Sequence, residues 1–287
     1  MKSSLSIPSK FGFLRQKVLI LGAPRDTLVP SVESRPGLSI VIPAWNEEDR
    51  LARTLTRYLP ALETHGEPFE VIVVSDGARD RTADVARSFE NRGVRVLEFP
   101  QKLGKGGAIL EGLRAAKFDF VGYVDADGPI PPSEIYEMVD TLGDVDCVIA
   151  SRWTRGSVVL RSEPLFNQLA GRAWNFMVRA LLLLPIQDTQ CGAKFFKRSV
   201  VAPILKTITV TNRAFDVDFL YHVRESGASF KEVPVTWSHD PDSRMPVGSA
   251  IPVMFLSLLG VRMMNTSFSH RVPPRWVEWF RERYGPT

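Results

Sequence analysis

The chain has 287 residues, 44% hydrophobic and 24% charged, which excludes a disordered or fibrous protein and is enough to bury one large core. Thirty-six basic against 32 acidic residues leave a net charge of +4, which suits an anionic ligand or an anionic membrane surface; no nucleic-acid partner is expected. The two cysteines, Cys147 and Cys191, form no CxxC pair, which speaks against a disulfide framework and for a reducing compartment.

Lys2, Lys10, Arg15 and Lys17 precede only a short apolar run at 18–22, too short for a secretory signal or a membrane span. Residues 1–37 read as an N-terminal arm ending at Pro36-Gly37. From there the pattern is regular. Leu38-Ser-Ile-Val-Ile42 is a β-branched run stopped by Pro43, the signature of a buried strand. Leu51, Leu55, Leu59 and Leu62 recur at helical spacing, with Asn46 or a neighbour as the cap. Strands at 69–74, 94–99, 118–124 and 147–150 then alternate with helices at 82–89, 106–117 and 133–142. Alternation at this pace predicts an α/β fold, a mostly parallel Rossmann-like sheet with helices on both faces.

After residue 151 the alternation stops. A long, mostly apolar helix is expected at 165–184, carrying Arg172 and Arg179. A strand-like 193–196, a helix at 217–225 and a strand at 231–237 follow. Residues 245–261 carry no charge, are interrupted by Pro246 and Pro252, and are bracketed by Arg244 and Arg262. The tail mixes four arginines with Trp276, Trp279 and Phe280. Residues 241–287 are therefore expected to form a helical segment, amphipathic and lying at a membrane interface or else covering the core.

In an open α/β sheet, ligands bind beyond the carboxyl ends of the strands. Four strand ends here deliver polar or charged groups to one edge. Pro43, Ala44, Trp45 and Glu47 follow the first, Asp76 ends the second, Lys105 lies among glycines after the third, and Asp125-Ala126-Asp127-Gly128 follows the fourth. Two carboxylates on a strand-end turn can hold one hard cation together with phosphate oxygens, which makes Asp125 and Asp127 candidate ligands of Mg²⁺ or Mn²⁺. Asp76 can accept hydrogen bonds from a base or ribose, or close an Asx turn. Leu103-Gly-Lys-Gly-Gly-Ala108 resembles a phosphate loop but lacks the Ser or Thr of a P-loop and the third glycine of a dinucleotide fingerprint; Lys105 remains positioned to meet a phosphate.

Taken together, Ile40-Val-Ile-Pro-Ala-Trp-Asn-Glu-Glu48, Val73-Val-Ser-Asp-Gly-Ala-Arg-Asp-Arg-Thr82, Gly104-Lys-Gly-Gly-Ala108 and Asp125-Ala-Asp127 resemble the inverting GT-A glycosyltransferases of family 2. The resemblance covers about residues 38–240, taken as the catalytic domain. Ala150-Ser-Arg-Trp153, Asp188-Thr-Gln-Cys-Gly-Ala-Lys-Phe195 and Ala214-Phe-Asp-Val-Asp-Phe-Leu220 are similar to the dolichyl-phosphate β-glucosyltransferase branch of the polyprenyl-phosphate sugar synthases. It implies that Pro43, Ala44, Trp45, Glu47 and Asp76 surround the nucleobase and ribose, and that Asp125, Ala126 and Asp127 carry the metal and diphosphate. It further implies that Arg152 and Arg172 meet the acceptor phosphate or the diphosphate, and that Gln190 faces the sugar. The second strand departs from the branch in ending Ser75-Asp76 rather than in two aspartates. Ser243-Arg244 keeps the Ser-basic pair of a later motif without its glycine.

The reaction so implied is one in-line displacement at an anomeric carbon, from a nucleotide sugar (UDP-glucose ahead of GDP-mannose) to a polyprenyl phosphate. An acceptor phosphate is already an anion and needs no general base, so arginines such as Arg152, Arg172 and Arg244 would position it. A soluble hydroxyl acceptor would need a base, for which Asp216 or Asp218 is the rival. A nucleotide-sugar-binding subunit without catalysis is the alternative of another class. A lipid acceptor places the protein peripherally on the cytoplasmic side of a membrane.

Overall fold

The computed structural model describes residues 36–161, 165–212, 214–238, 247–265 and 272–285, so all but the last two residues of the expected N-terminal arm lie outside it. The first half alternates as the sequence predicts: β1 (Leu38–Ala44), α1 (Glu48–His65), β2 (Phe69–Asp76), α2 (Thr82–Arg87), β3 (Val94–Phe99), α3 (Gly104–Ala115), β4 (Phe120–Val124), α4 (Pro132–Thr141) and β5 (Cys147–Ser151). The second half holds β6 (Val158–Arg161), α5 (Leu165–Leu182), β7 (Ala193–Lys197), α6 (Arg198–Ile204), α7 (Phe215–Glu225), β8 (Phe230–Pro234), β9 (Thr236–Ser238), α8 (Val247–Met264) and α9 (Pro274–Tyr284).

Seven strands form one sheet in the order β3-β2-β1-β4-β7-β5-β8. All neighbours run parallel except β7, which is antiparallel to both β4 and β5. The chain winds outward from β1 through β2 to β3, then returns to place β4 on the other side of β1. The strand order thus reverses between β1 and β4, and a crevice opens beyond their carboxyl ends.

Helices cover both faces, which is why β1 and β2 read as continuous apolar runs rather than alternating ones. Val41, Ile72, Tyr123 and Phe196 point to one face and pack with Ile109 of α3, Val178 of α5 and Phe215 and Phe219 of α7. Ile40, Ile42, Val73 and Val148 point to the other and pack with Leu55 and Leu59 of α1 and Ile135 of α4. Leu258 and Val261 of α8 and Phe280 of α9 are buried in the first of these clusters, so the C-terminal helices complete a wall of the core. On α9, Trp276, Phe280 and Tyr284 pack at four-residue spacing with ring centroids 5.1 and 4.9 Å apart, the first pair stacked and the second tilted. Helix α8 is apolar around its circumference: Val253, Phe255, Leu256 and Met263 stay exposed opposite Leu258 and Val261. Among the described residues no helix is long and apolar enough to cross a membrane.

The structure departs from the sequence reading in three elements, one of them α6, a helix absent from the sequence reading between the strand at 193–196 and the helix at 217–225. The strand expected at 231–237 is two: β8 pairs with β5 as far as Pro234, and β9 then pairs with β6 in a separate two-stranded sheet. Pro234 has no amide to continue the ladder, and the chain changes sheets there. The partner strand β6 has all four residues exposed and therefore carries no burial pattern from which to predict it.

Candidate active site

The Asp125-Ala126-Asp127-Gly128 turn sits at the end of β4, on the reversal crevice. Its backbone closes on itself, Gly128 N donating to the Asp125 carbonyl at 3.0 Å. Helix α1 grips it from one side. Thr54 Oγ1 donates to the Ala126 carbonyl (2.8 Å), Tyr58 Oη to the Ile130 carbonyl (2.7 Å), and the Arg57 guanidinium to the Gly128 carbonyl. From the other side the Asp125 amide donates to the Gly192 carbonyl at 3.0 Å, and a Cβ on residue 192 would collide with the Asp125 carboxylate. The turn is thus held by backbone and helix contacts rather than by its two carboxylates. Asp127 Oδ1 is buried and accepts no hydrogen bond. Burial, reinforced by the charge of Asp125, pushes the Asp127 carboxyl up to about 7.

The loops after β1 and β2 are stitched to each other. Asn46, at φ 54°, accepts the Arg79 amide on Oδ1 (2.8 Å), and the Glu47 amide donates to Thr82 Oγ1 (2.8 Å). Of Asn46 or a neighbour, the N-cap position falls to Glu47, without a side-chain cap bond; the first amide of α1, on Glu48, donates instead to Asp80 Oδ2 at 3.2 Å. Glu47 binds Arg50. Trp45 is 44% exposed, with Lys102 Nζ 3.2 Å above its ring. Pro43 and Ala44 remain within β1, paired with Val74 and Ser75. Asp76 is buried, and its carboxylate takes the backbone amides of Leu103 and Gly104 at the start of α3. Both of its oxygens are thereby engaged in holding the glycine loop, a task the sequence did not reveal. Gly106 donates its amide to the Thr211 carbonyl (2.8 Å) and lies against Phe215, where a Cβ would not fit. These glycines allow helix packing; the amides of Leu103, Gly104 and Gly106 are spent within the protein.

Lys105 projects from this loop to Asp125, Nζ to Oδ1 at 2.8 Å, with Asp216 Oδ2 at 3.9 Å. Burial works against its charge, but the two carboxylates raise its affinity for a proton. Asp216 is buried beneath it and accepts from Lys194 Nζ (2.7 Å) and Tyr123 Oη. Burial alone would raise the Asp216 carboxyl; Lys194 and Lys105 hold it below its ordinary value. Asp218 is fully buried and takes the Thr209 and Val210 amides and the Thr209 hydroxyl. Both rival bases are therefore buried and engaged by structural donors.

A second group lies beyond β5. Arg152 places Nε 2.7 Å and Nη2 2.9 Å from the two oxygens of Asp188, and its amide also donates to that carboxylate at 3.0 Å. Its guanidinium stands 5.6 Å from the Trp153 ring and 5.2 Å from that of Trp237. Arg152, Trp153, Arg172, Asn175 and Arg179 line one cleft of about 440 Å³, so two of the expected arginines do converge. Gln190 donates its amide to Asp188 (3.3 Å), while its side-chain Nε2 is buried without a partner, two residues before the Gly192 that seats Asp125. Arg244 lies outside the described residues. Asp188, Trp237, Lys194 and the α1 residues Thr54 and Tyr58 were assigned no role from sequence. Of these, Asp188 and Lys194 stood in a motif that the sequence singled out, Asp188-Thr-Gln-Cys-Gly-Ala-Lys-Phe195.

The profile of glycosyl transferase family 2 matches residues 39–205, more than half of the chain. The chain belongs to this family. Among the curated relatives of this family 2 enzyme, a dolichyl-phosphate β-glucosyltransferase of Drosophila melanogaster is 32% identical over 75% of the chain and 72% of its own length. The human protein of the same name is 30% identical over 77% and 74%. Of the solved structures, glucosyl-3-phosphoglycerate synthase from Mycobacterium tuberculosis, in complex with Mn²⁺ and UDP-glucose, superposes with a TM-score of 0.58 at 20% identity, covering 79% of this chain and 80% of that one. That likeness establishes the GT-A fold. The family 2 site also suits a hard divalent cation: two carboxylates one residue apart, one of them with a buried oxygen lacking any donor. No group of three or more His, Cys, Asp or Glu side chains gathers among the described residues. Two carboxylates completed by substrate phosphates is the usual manner of Mg²⁺.

Proposed function

We propose that this glycosyltransferase moves glucose from UDP-glucose to a polyprenyl or dolichyl phosphate, with inversion, at a membrane surface. The observation that carries the reading is the Asp125/Asp127 pair at the reversal point of the sheet, with Asp127 Oδ1 buried and unpartnered. The curated relatives named dolichyl-phosphate β-glucosyltransferase support glucose and the lipid acceptor, and the Mn²⁺ and UDP-glucose of the solved neighbour support the metal and the donor. GDP-mannose is the competing donor.

Asp125 and Asp127 would hold Mg²⁺ or Mn²⁺, which when bound neutralises charge on the departing diphosphate. Pro43, Ala44, Trp45 and Glu47 border the crevice where the nucleoside would lie, and Asp76 shapes that wall through the loop it holds. Gln190 offers an unspent donor for a sugar hydroxyl. Arg152, Arg172 and Arg179 gather the acceptor phosphate in their shared cleft. An acceptor oxygen attacks the anomeric carbon from the face opposite the diphosphate. The new C–O bond forms as the bond to the β-phosphate oxygen breaks, and UDP leaves with the electron pair. The acceptor arrives as an anion and no proton must be removed, which accords with the engagement of Asp216 and Asp218 elsewhere.

On this reading residues 38–240 form the transferase domain and 241–287 a segment that covers its core. The outward face of α5 supports peripheral docking, which the proposal sets on the cytoplasmic side of the membrane. Leu165, Leu169 and Phe176 are 77, 65 and 74% exposed on one side of the helix, and Arg172 and Arg179 flank them. The test is the product formed from UDP-glucose, Mn²⁺ and dolichyl phosphate in detergent. A lipid-linked β-glucosyl phosphate, identified by its proton coupling, is expected. An α-linked product, or a glucoside of a soluble hydroxyl, would contradict the proposal.

A further inference from the structure

Charges alternate in a line from the crevice into the core: Asp125, Lys105, Asp216, Lys194. The inner half is fixed. Asp216 and Lys194 have side-chain exposures of 2 and 0%, their charged groups lie 2.7 Å apart, and each has another partner, Tyr123 Oη for the carboxylate and the Cys191 carbonyl (2.7 Å) for the ammonium. The outer half is open. Asp125 and Lys105 have side-chain exposures of 31 and 26%, and their 2.8 Å contact faces the crevice. The backbone of Lys105 is held on both sides by the Gly104 and Gly106 hydrogen bonds, so only its four-carbon stem is free to move. Lys105 therefore has one close partner on the open side, Asp125, and a fixed carboxylate behind it, Asp216, 3.9 Å away.

A divalent cation approaching Asp125 alone meets an ammonium already seated on that carboxylate, and repulsion between them opposes binding. A cation that arrives with a diphosphate brings anionic oxygens to which the ammonium can transfer while Asp216 keeps it compensated. We propose that Lys105 is a displaceable counter-ion that holds Asp125 until a nucleoside diphosphate arrives, and so makes cation binding and nucleotide binding depend on each other. The inference rests on the metal-dependent nucleotide-sugar reading above and adds the coupling between the two ligands.

The experiment is a Mn²⁺ titration of the full chain, followed by the electron paramagnetic resonance signal of free Mn²⁺, with and without UDP. UDP should raise the Mn²⁺ affinity of the wild type by about tenfold or more, and Mn²⁺ should raise UDP affinity by the same factor. Lys105→Met should bind Mn²⁺ without UDP about tenfold more tightly than the wild type and lose most of the UDP enhancement. Lys105→Gln gives the same comparison should the methionine variant fail to fold. Lys105→Arg should keep the coupling, and its loss there would refute the role given to charge. If the wild type shows the coupling and the neutral variants show it undiminished, the inference falls and the reading of the site stands. If the wild type takes up neither Mn²⁺ nor UDP, both fall.

Discussion

Asp127 carries a raised carboxyl pKa and an oxygen without a hydrogen-bond donor: burial and the charge of Asp125 outweigh the opposing pull of Arg50 and Lys105, and no donor reaches Oδ1. In the unfolded chain it ionises near 3.8, in the metal-free fold at about 7. Between those values the folded protein holds a proton that the unfolded chain has released, so stability falls as pH rises through the window and levels off above it. Asp127→Asn removes that loss. Its melting temperature in chelator, relative to the wild type, should climb between about pH 4 and 7 and stay constant above; calorimetry at several pH values measures this. A difference independent of pH would show that Asp127 is not raised. A cation must displace the same proton, so its binding should strengthen over the same range.

At the scale of elements, the arrangement of Arg152 depends on a pairing across 36 residues. Asp188 is fully buried, accepts three donors from Arg152, and ties the loop carrying Gln190 to the end of β5. Asp188→Ala removes the buried carboxylate that accepts three donors from a mostly buried arginine and should cost about 3 kcal/mol or more, read from the urea midpoint. A loss under about 0.5 kcal/mol would place the pair among surface ion pairs of little consequence. The apolar runs of β1, β2 and β4 and the leucine spacing of α1 were legible in the sequence, because burial on both faces imposes those patterns. So was the DxD at a strand end, because sheet topology fixes where ligands bind. The Arg152–Asp188 pair was not, since nothing local to either residue specifies the other. Strand β6 was not, since its residues are exposed. Asp76 was legible as an acid at a strand end, but its burial and its engagement by the amides of α3 appear only once the loop is folded over it.

At the scale of the whole molecule, the exposed apolar side chains of α5 and the arginines beside them share a helix face that borders the cleft lined by Arg152, Arg172 and Arg179. Leu169→Glu combined with Phe176→Glu should abolish co-flotation with vesicles containing anionic lipid while UDP-glucose binding is retained; flotation undiminished would move the docking surface elsewhere. The central claim is metal-dependent transfer to a lipid phosphate, and one measurement reaches it: radiolabelled UDP-glucose or GDP-mannose incubated with polyprenyl phosphate, in Mn²⁺ or in chelator, followed by organic extraction. Label in the organic phase from UDP-glucose, lost in chelator and in Asp127→Ala, is the expected result. Label that stays in the aqueous phase with both donors, or reaches lipid without a divalent cation, would contradict it.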